Sequence, residues 1–286
     1  MAVKRKRYDI GNFFGKSVIQ IILIIWAVLQ LYPILWLFYS SFKPSGDIRA
    51  NIFTFPKSLF LENYDFRVIA NSGITIGIYL RNSAVITVIS LILITMVSLL
   101  AGYAIAKIRF PGKNILMLLL IGLLGIPIHS LIIPLYYFIA KIGLLSNIWG
   151  LILPYTAFYS PFSVILLQAY FREFPDELIE AAKIDGCNNV TAFLRVVMPI
   201  TKGAISTVLI IGFLSIWNEF MFSLVINKNN IAKTIPVGLM NFKGQYYTDW
   251  GPLLAAMVVA ILPPVIFYFI FHRNIIKGMT AGSIKG

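Results

Sequence analysis

The stretch Asn82–Ala106, NSAVITVISLILITMVSLLAGYAIA, decides the fold class, because it runs from Arg81 to Lys107 without a charged residue. It exceeds the roughly 20 apolar residues that a membrane-spanning helix needs, and it lacks the period-2 alternation of a transmembrane barrel strand. Outward from it lie four more uncharged runs, at 17–42, 114–140, 142–171 and 250–272, and a sixth at 203–227 that only Glu219 interrupts. With 59% hydrophobic residues, 12% charged residues and a mean hydropathy of +0.85, the chain falls outside the range of soluble domains. The expectation is an all-α integral membrane protein with six transmembrane helices, since only helices or closed barrels satisfy their backbone hydrogen bonds in lipid.

Basic residues set the expected orientation. Fifteen of the 24 lysines and arginines fall in segments that are inner if the N-terminus is inside, against nine in the longer outer loops. Both termini are therefore expected in the cytoplasm of a multi-pass cell (inner) membrane protein. The implied organisation is a basic cytoplasmic tail at 1–16, one transmembrane domain at 17–272, and a cytoplasmic C-terminal tail at 273–286. Outer loops are expected at 43–77 and 227–252, and a large inner loop at 172–202. The net charge of +13 sits largely in short inner loops and the first residues, where anionic membrane lipids are the partner, so no nucleic acid is expected. A single cysteine, Cys187, excludes an internal disulfide.

Two sequence features bear on the helices themselves. Ser98, Gly102 and Ala106 form a small-residue stripe that lets another helix approach closely. Pro127 and Pro134, Pro154 and Pro161, and the pair Pro263 and Pro264 each remove a backbone hydrogen bond and predict kinks in three spans.

The segment 174–199, FPDELIEAAKIDGCNNVTAFLRVVMP, is a polar island among these runs, and five of the chain's eleven acids lie in or beside it. Pro175 suits a first helical turn, and Asp176 and Glu177 place negative charge at the positive end of a helix dipole. Leu178, Ala181, Ala182 and Asp185 recur at helical spacing, with Glu180 beside them, so one face offers a leucine and two small alanines. Gly186 is a left-handed stop, Asn188 or Asn189 caps a second short helix through Val190, Phe193, Leu194 and Val197, and Pro199 ends it. An amphipathic hairpin resting on lipid would carry a basic polar face, whereas here four acids (Asp176, Glu177, Glu180 and Asp185) face Lys183 alone. A protein partner fits that charge better.

Glu180-Ala181-Ala182, then three residues, Gly186, then nine residues and Val196-Val197-Met198-Pro199 resembles the EAA motif of ABC-importer membrane subunits. Cys187 stands where alanine is common, and Val196 and Met198 replace isoleucine and leucine. Trp217–Phe220 (WNEF), Ile235–Leu239 (IPVGL), Thr248–Gly251 (TDWG) and the tail Gly278–Gly286 (GMTAGSIKG) are similar to carbohydrate-uptake permeases related to the maltose transporter. The resemblance implies the type I ABC importer permease fold and a subunit forming half of a translocation pathway. It implies a second homologous permease, two ATPase subunits and an extracytoplasmic substrate-binding protein as partners. Glu180, Ala181, Ala182, Asp185, Gly186 and Pro199 would form the coupling helix and turn that dock on the ATPase. ATP and magnesium would be bound by that ATPase, with no cofactor in this chain. The implied substrate is a carbohydrate, with a di- or oligosaccharide first and glycerol phosphate compatible with the same motifs.

Further candidates remain. Glu219, with Trp217 and Asn218, is an intramembrane acid that either contacts solute or bonds a neighbouring helix or the outer interface. In the last outer loop Tyr246, Tyr247, Asp249 and Trp250 are expected to receive the binding protein or to anchor the membrane interface. His129 is expected as a packing residue, and two histidines and one cysteine make a metal site unexpected. Gly11–Ser17 imitates a phosphate-binding loop but has three residues between its glycines instead of four. No clustered nucleophile, base or metal set marks an enzyme. An ion-coupled secondary transporter, the rival class, would show an inverted repeat and several buried ionisable groups.

Overall fold

The computed structural model describes residues 10–65, 76–229, 232–242 and 248–283, and every regular element among them is helical. In chain order these are α1 (Ile10–Ser40), α2 (Ser45–Ala50), α3 (Ile76–Lys107), α4 (Lys113–Leu124), α5 (Ile132–Lys141), α6 (Trp149–Glu173) and α7 (Asp176–Ile184). They continue as α8 (Asn189–Ala192), α9 (Met198–Ile200), α10 (Lys202–Trp217), α11 (Met221–Ile226), α12 (Ile235–Gly238) and α13 (Trp250–Ser283). Among the described residues four helices, α1, α3, α6 and α13, are each long and apolar enough to cross a membrane, and two bent pairs bring the count to as many as six.

The bend at Pro127 is expected from the sequence, but it goes further than a kink, and a second break falls in a span without an internal proline. The run 114–140 is two helices at 91°. Pro127 has no N–H and adopts an extended ψ of 115°, so α4 closes at Gly125 and the chain restarts after a short 3-10 turn at Ile128–Leu131. The run 203–227 stops at Trp217 and resumes as α11. Elsewhere the prolines do not break helices: Pro154 and Pro161 lie inside α6 and Pro263 and Pro264 inside α13, while Pro134 falls in the first turn of α5. Between the two α6 prolines the hydroxyls of Thr156 and Ser160 donate to the carbonyls of Ile152 and Thr156 (2.8 and 2.5 Å), and Ser163 donates to Tyr159 just beyond (3.0 Å). Such back-bonding keeps polar groups satisfied in an apolar setting.

The first and last long helices extend past their uncharged runs. α1 is helical from Ile10 and α13 as far as Ser283, since a charged residue does not interrupt helical hydrogen bonding. Gly11–Ser17 is consequently helical, which removes the phosphate-loop resemblance.

The chain divides into two units, one of residues 1–65 with 244–258 and one of 66–243 with 259–286. In the first, α1 leads into a loop held by buried Lys43, whose ammonium donates to the carbonyls of Asn51 and Thr54 (both 2.9 Å) and to the Thr54 hydroxyl (3.0 Å). Burial pushes this lysine below its usual pKa, with Asp47 opposing the shift. Asn63 donates to the carbonyls of Ser41 and Lys43 (2.7 and 2.8 Å), closing the loop.

In the second unit α3 and α6 pack along their lengths. Gly102 permits this approach, since a Cβ there would stand 3.1 Å from the Gln168 nitrogen and 3.2 Å from the Val164 carbonyl oxygen. Inside a bilayer the gain is close van der Waals packing and not exclusion of water, so small residues at the crossing matter more than apolar area. At one end of α3, Ser83 accepts the Ile235 N–H (2.8 Å) and Asn82 donates to the Lys233 carbonyl (3.1 Å), which stitches the segment before α12 to the bundle.

Candidate functional site: the polar loop and the helix break at Glu219

The polar loop folds as helix, glycine turn, helix. Pro175 stands at the N-cap of α7, one residue before the expected first turn, and Asp176 and Glu177 occupy that turn with Lys183 in the last. Gly186 has φ +87°, its N–H donates to Lys183 (3.0 Å), and the Cys187 N–H donates to Ala182 (2.9 Å). These two bonds satisfy the final carbonyls of α7 in a Schellman arrangement, which only a residue tolerant of left-handed backbone allows. Asn188 then caps α8, accepting from the Thr191 N–H (2.8 Å) and hydroxyl (2.6 Å).

The buried face of α7 differs in part from the expected one. Ile179 and Ala182 are the buried residues of α7 and pack toward the π-helical turn Phe193–Val197, while Glu180, Ala181, Leu178, Asp185 and Gly186 are exposed. Ala182 is thus an inward packing residue, and Ala181 alone of the alanine pair faces outward. Phe193 and Val197 are buried but Val190 and Leu194 are exposed, so the loop carries apolar side chains on its outer surface too. Pro199 does not end the second arm: it sits in α9, and the chain turns at Thr201, whose hydroxyl donates to Val197 (2.6 Å) before α10 departs at 74°. The wider π turn just before Pro199 absorbs its missing N–H.

Sequence reasoning missed the clamp on this loop. Lys107, the last residue of α3, donates to the Phe174 carbonyl and to Asp176 Oδ1, each at 2.6 Å. Tyr103, one turn earlier, meets the rings of Phe171 (5.6 Å) and Phe193 (4.8 Å). A pairing across 69 residues leaves no periodic trace, and its one sequence signal is opposite charge at two helix ends.

Glu219 is buried at the break between α10 and α11. The Tyr155 hydroxyl of α6 donates to its Oε2 (2.5 Å), and the N–H groups of Phe222 and Ser223 donate to Oε1 (2.9 Å) and Oε2 (3.3 Å). The carboxylate therefore caps α11 and ties it to α6, which is the neighbouring-helix reading of this acid. Trp217 is also buried, its indole N–H on the Ala260 carbonyl (3.1 Å) and its ring stacked on Phe213. Of the three expected pathway residues only Asn218 presents an exposed side chain, with its amide on the Leu214 carbonyl (2.8 Å). His129 stacks on Phe222 at 5.9 Å.

Of the expected docking residues, Tyr246 and Tyr247 lie outside the described residues. Asp249 accepts from the Ser45 hydroxyl (2.5 Å), which in turn accepts the Gly251 N–H (2.8 Å), so this acid organises the start of α13. Trp250 is exposed.

Broken spans around a central α3–α6 pair, with a helical hairpin clamped at the end of α3, define the membrane subunit of a type I ABC importer. The likeness of fold is direct: a solved bacterial ABC transporter that imports the acidic polysaccharide alginate superposes with a TM-score of 0.81 at 20% identity, over 94% of this chain and 99% of the other. The chain belongs to the family of binding-protein-dependent transport system inner membrane components, whose pattern matches residues 95–281. It is 37% identical over 284 residues to the multiple sugar-binding transport system permease protein MsmG of Streptococcus mutans, covering 98% of this chain and 100% of that one. It is 35% identical to the trehalose/maltose transport system permease protein MalG of Thermococcus litoralis, covering 93% and 97%. It is a multi-pass membrane permease, and nothing in this kinship supports the ion-coupled alternative.

Proposed function

We propose that this permease carries a di- or oligosaccharide, that its polar loop faces the cytoplasm, and that the loop couples the pore to a pair of ATPase subunits. The observation that carries the coupling reading is the outward face of α7: Glu180 and Ala181 stand exposed on a helix held by Lys107, with Gly186 setting the turn that follows. A held, acidic helix with exposed apolar neighbours can act as a rigid lever, whereas a loose loop would dissipate movement. In this reading Glu180 pairs with a basic group on the ATPase and Ala181 lets its backbone come close. Ala182 and Pro199 serve from behind by fixing the loop's shape. ATP and magnesium belong to the ATPase, and this chain catalyses no bond change.

The sugar class rests on kinship with permeases named for multiple sugars and for trehalose and maltose. A second, related permease would complete the pathway, and a substrate-loaded binding protein would dock on the opposite membrane face. The test is co-expression with candidate partners, then uptake and ATPase assays with the binding protein and a panel of sugars. Glu180→Lys should abolish uptake and its coupling to ATP hydrolysis while the protein still inserts. Normal uptake by that variant would sink the coupling assignment.

A further inference from the structure

The outer loop of the first unit carries an apolar surface that its fold does not use. In the segment 52–61, IFTFPKSLFL, Phe53, Phe55, Leu59 and Leu61 are 70, 74, 69 and 64% exposed. Exposure of that size on a loop in water would be costly, yet the loop is held against α1 by specific contacts. The Trp36 indole of α1 donates to the Ile52 carbonyl (3.1 Å), Phe55 packs on Tyr39 (4.6 Å between rings), and the Phe60 N–H donates to the Phe42 carbonyl (3.0 Å). The Lys43 ammonium fixes the same strand of loop at Asn51 and Thr54. Residues 52–60 therefore run alongside the last turns of α1, in the same direction as the helix.

Those turns set a depth. The uncharged run 17–42 would extend roughly 39 Å as helix against a hydrocarbon core of about 30 Å, so its last residues reach the headgroup boundary. None of the membrane window of α1 is buried by the rest of the described chain, so the apolar loop is continuous with an uncovered apolar helix surface. Between the two apolar pairs stands exposed Lys57, a cation able to reach lipid phosphate while its neighbours stay in the acyl layer.

We propose that segment 52–61 is an interfacial wedge inserted into the bilayer leaflet at the C-terminal end of α1, with Phe53 deepest and Leu59 shallower. The wedge rests on α1 crossing the membrane and is independent of the sugar and coupling readings. It would fix the height and roll of α1, and with it the outer loop built on Lys43.

The test places a nitroxide at Phe53→Cys or Leu59→Cys in a Cys187→Ser background, in the assembled transporter in vesicles of phosphatidylethanolamine and phosphatidylglycerol. Collisions with oxygen, which partitions into lipid, are compared with collisions with a water-soluble nickel chelate. Both sites should favour oxygen, with position 53 deeper than position 59 by roughly 5 Å, about the rise of three to four helical residues. Phe55→Cys supplies a second deep site should labelling at 53 prevent assembly. Dominant nickel collisions would place the loop in water, absence of both collisions would place it under a protein partner, and a reversed depth order would contradict the register with α1. Each of these outcomes overturns the wedge.

Discussion

Replacing Lys107 with methionine should loosen the polar loop without disturbing the bundle. The ammonium makes two bonds of equal length, but they are not of equal worth. The Asp176 side chain is 72% exposed, and an exposed ion pair contributes below about 1 kcal/mol. The Phe174 carbonyl meets a lysine only 11% exposed, and a hydrogen bond from a charged donor there is worth about 1.5–3 kcal/mol. Lys107→Met keeps the apolar stem and should therefore cost nearly the whole sum, whereas Asp176→Asn should cost only the smaller part. The larger loss corresponds to a local opening equilibrium raised roughly tenfold to several hundredfold. Hydrogen exchange of amides 176–187 in the purified complex reads it directly, with amides of α3 and α6 as internal reference. Uptake should fall in the same order as the loss of protection. Equal loss in the two variants, or protection of α7 unchanged in Lys107→Met, would refute the argument that the backbone carbonyl is the principal anchor.

Gly186→Ala places a side chain at φ +87° with nothing near its Cβ, so the cost is backbone strain alone, about 1–2 kcal/mol, and uptake should be impaired more than in Gly186→Asn. Tyr155→Phe leaves the buried Glu219 carboxylate without its hydroxyl donor and should lower thermal stability by about 1–3 kcal/mol. If the two groups act as a pair, Tyr155→Phe in a Glu219→Ala background should cost clearly less, a difference a double-mutant cycle measures. Gly102→Val should force α3 from α6 at the Gln168 and Val164 backbone, costing about 1–3 kcal/mol and lowering the yield of folded protein, while Leu100→Val at an exposed position of the same helix should not.

The uncharged runs were legible because lipid tolerates few charges and demands internal hydrogen bonding, which makes span number a matter of counting. The acids of the first turn of α7, the glycine turn and the Asn188 cap were legible for a related reason: each rests on bonds within a few residues. Helix breaks at Pro127 and Glu219 were less so. A proline inside an apolar run can be accommodated, as in α6, or can end a helix, as after α4, and the difference depends on which groups nearby take up the freed backbone bonds.

What the sequence by itself determined was the class of the protein: the apolar spans, the polar helical hairpin and the importer signature of its spacing. Tertiary structure alone decided which residues of that hairpin turn inward, that Lys107 anchors it, and that Glu219 is bonded within the chain by Tyr155 of α6 and the first N–H groups of α11. Local hydrogen bonding and membrane partitioning are written along the chain at fixed intervals. Burial and long-range polar pairing depend on which helices meet, and no interval in the sequence encodes that meeting.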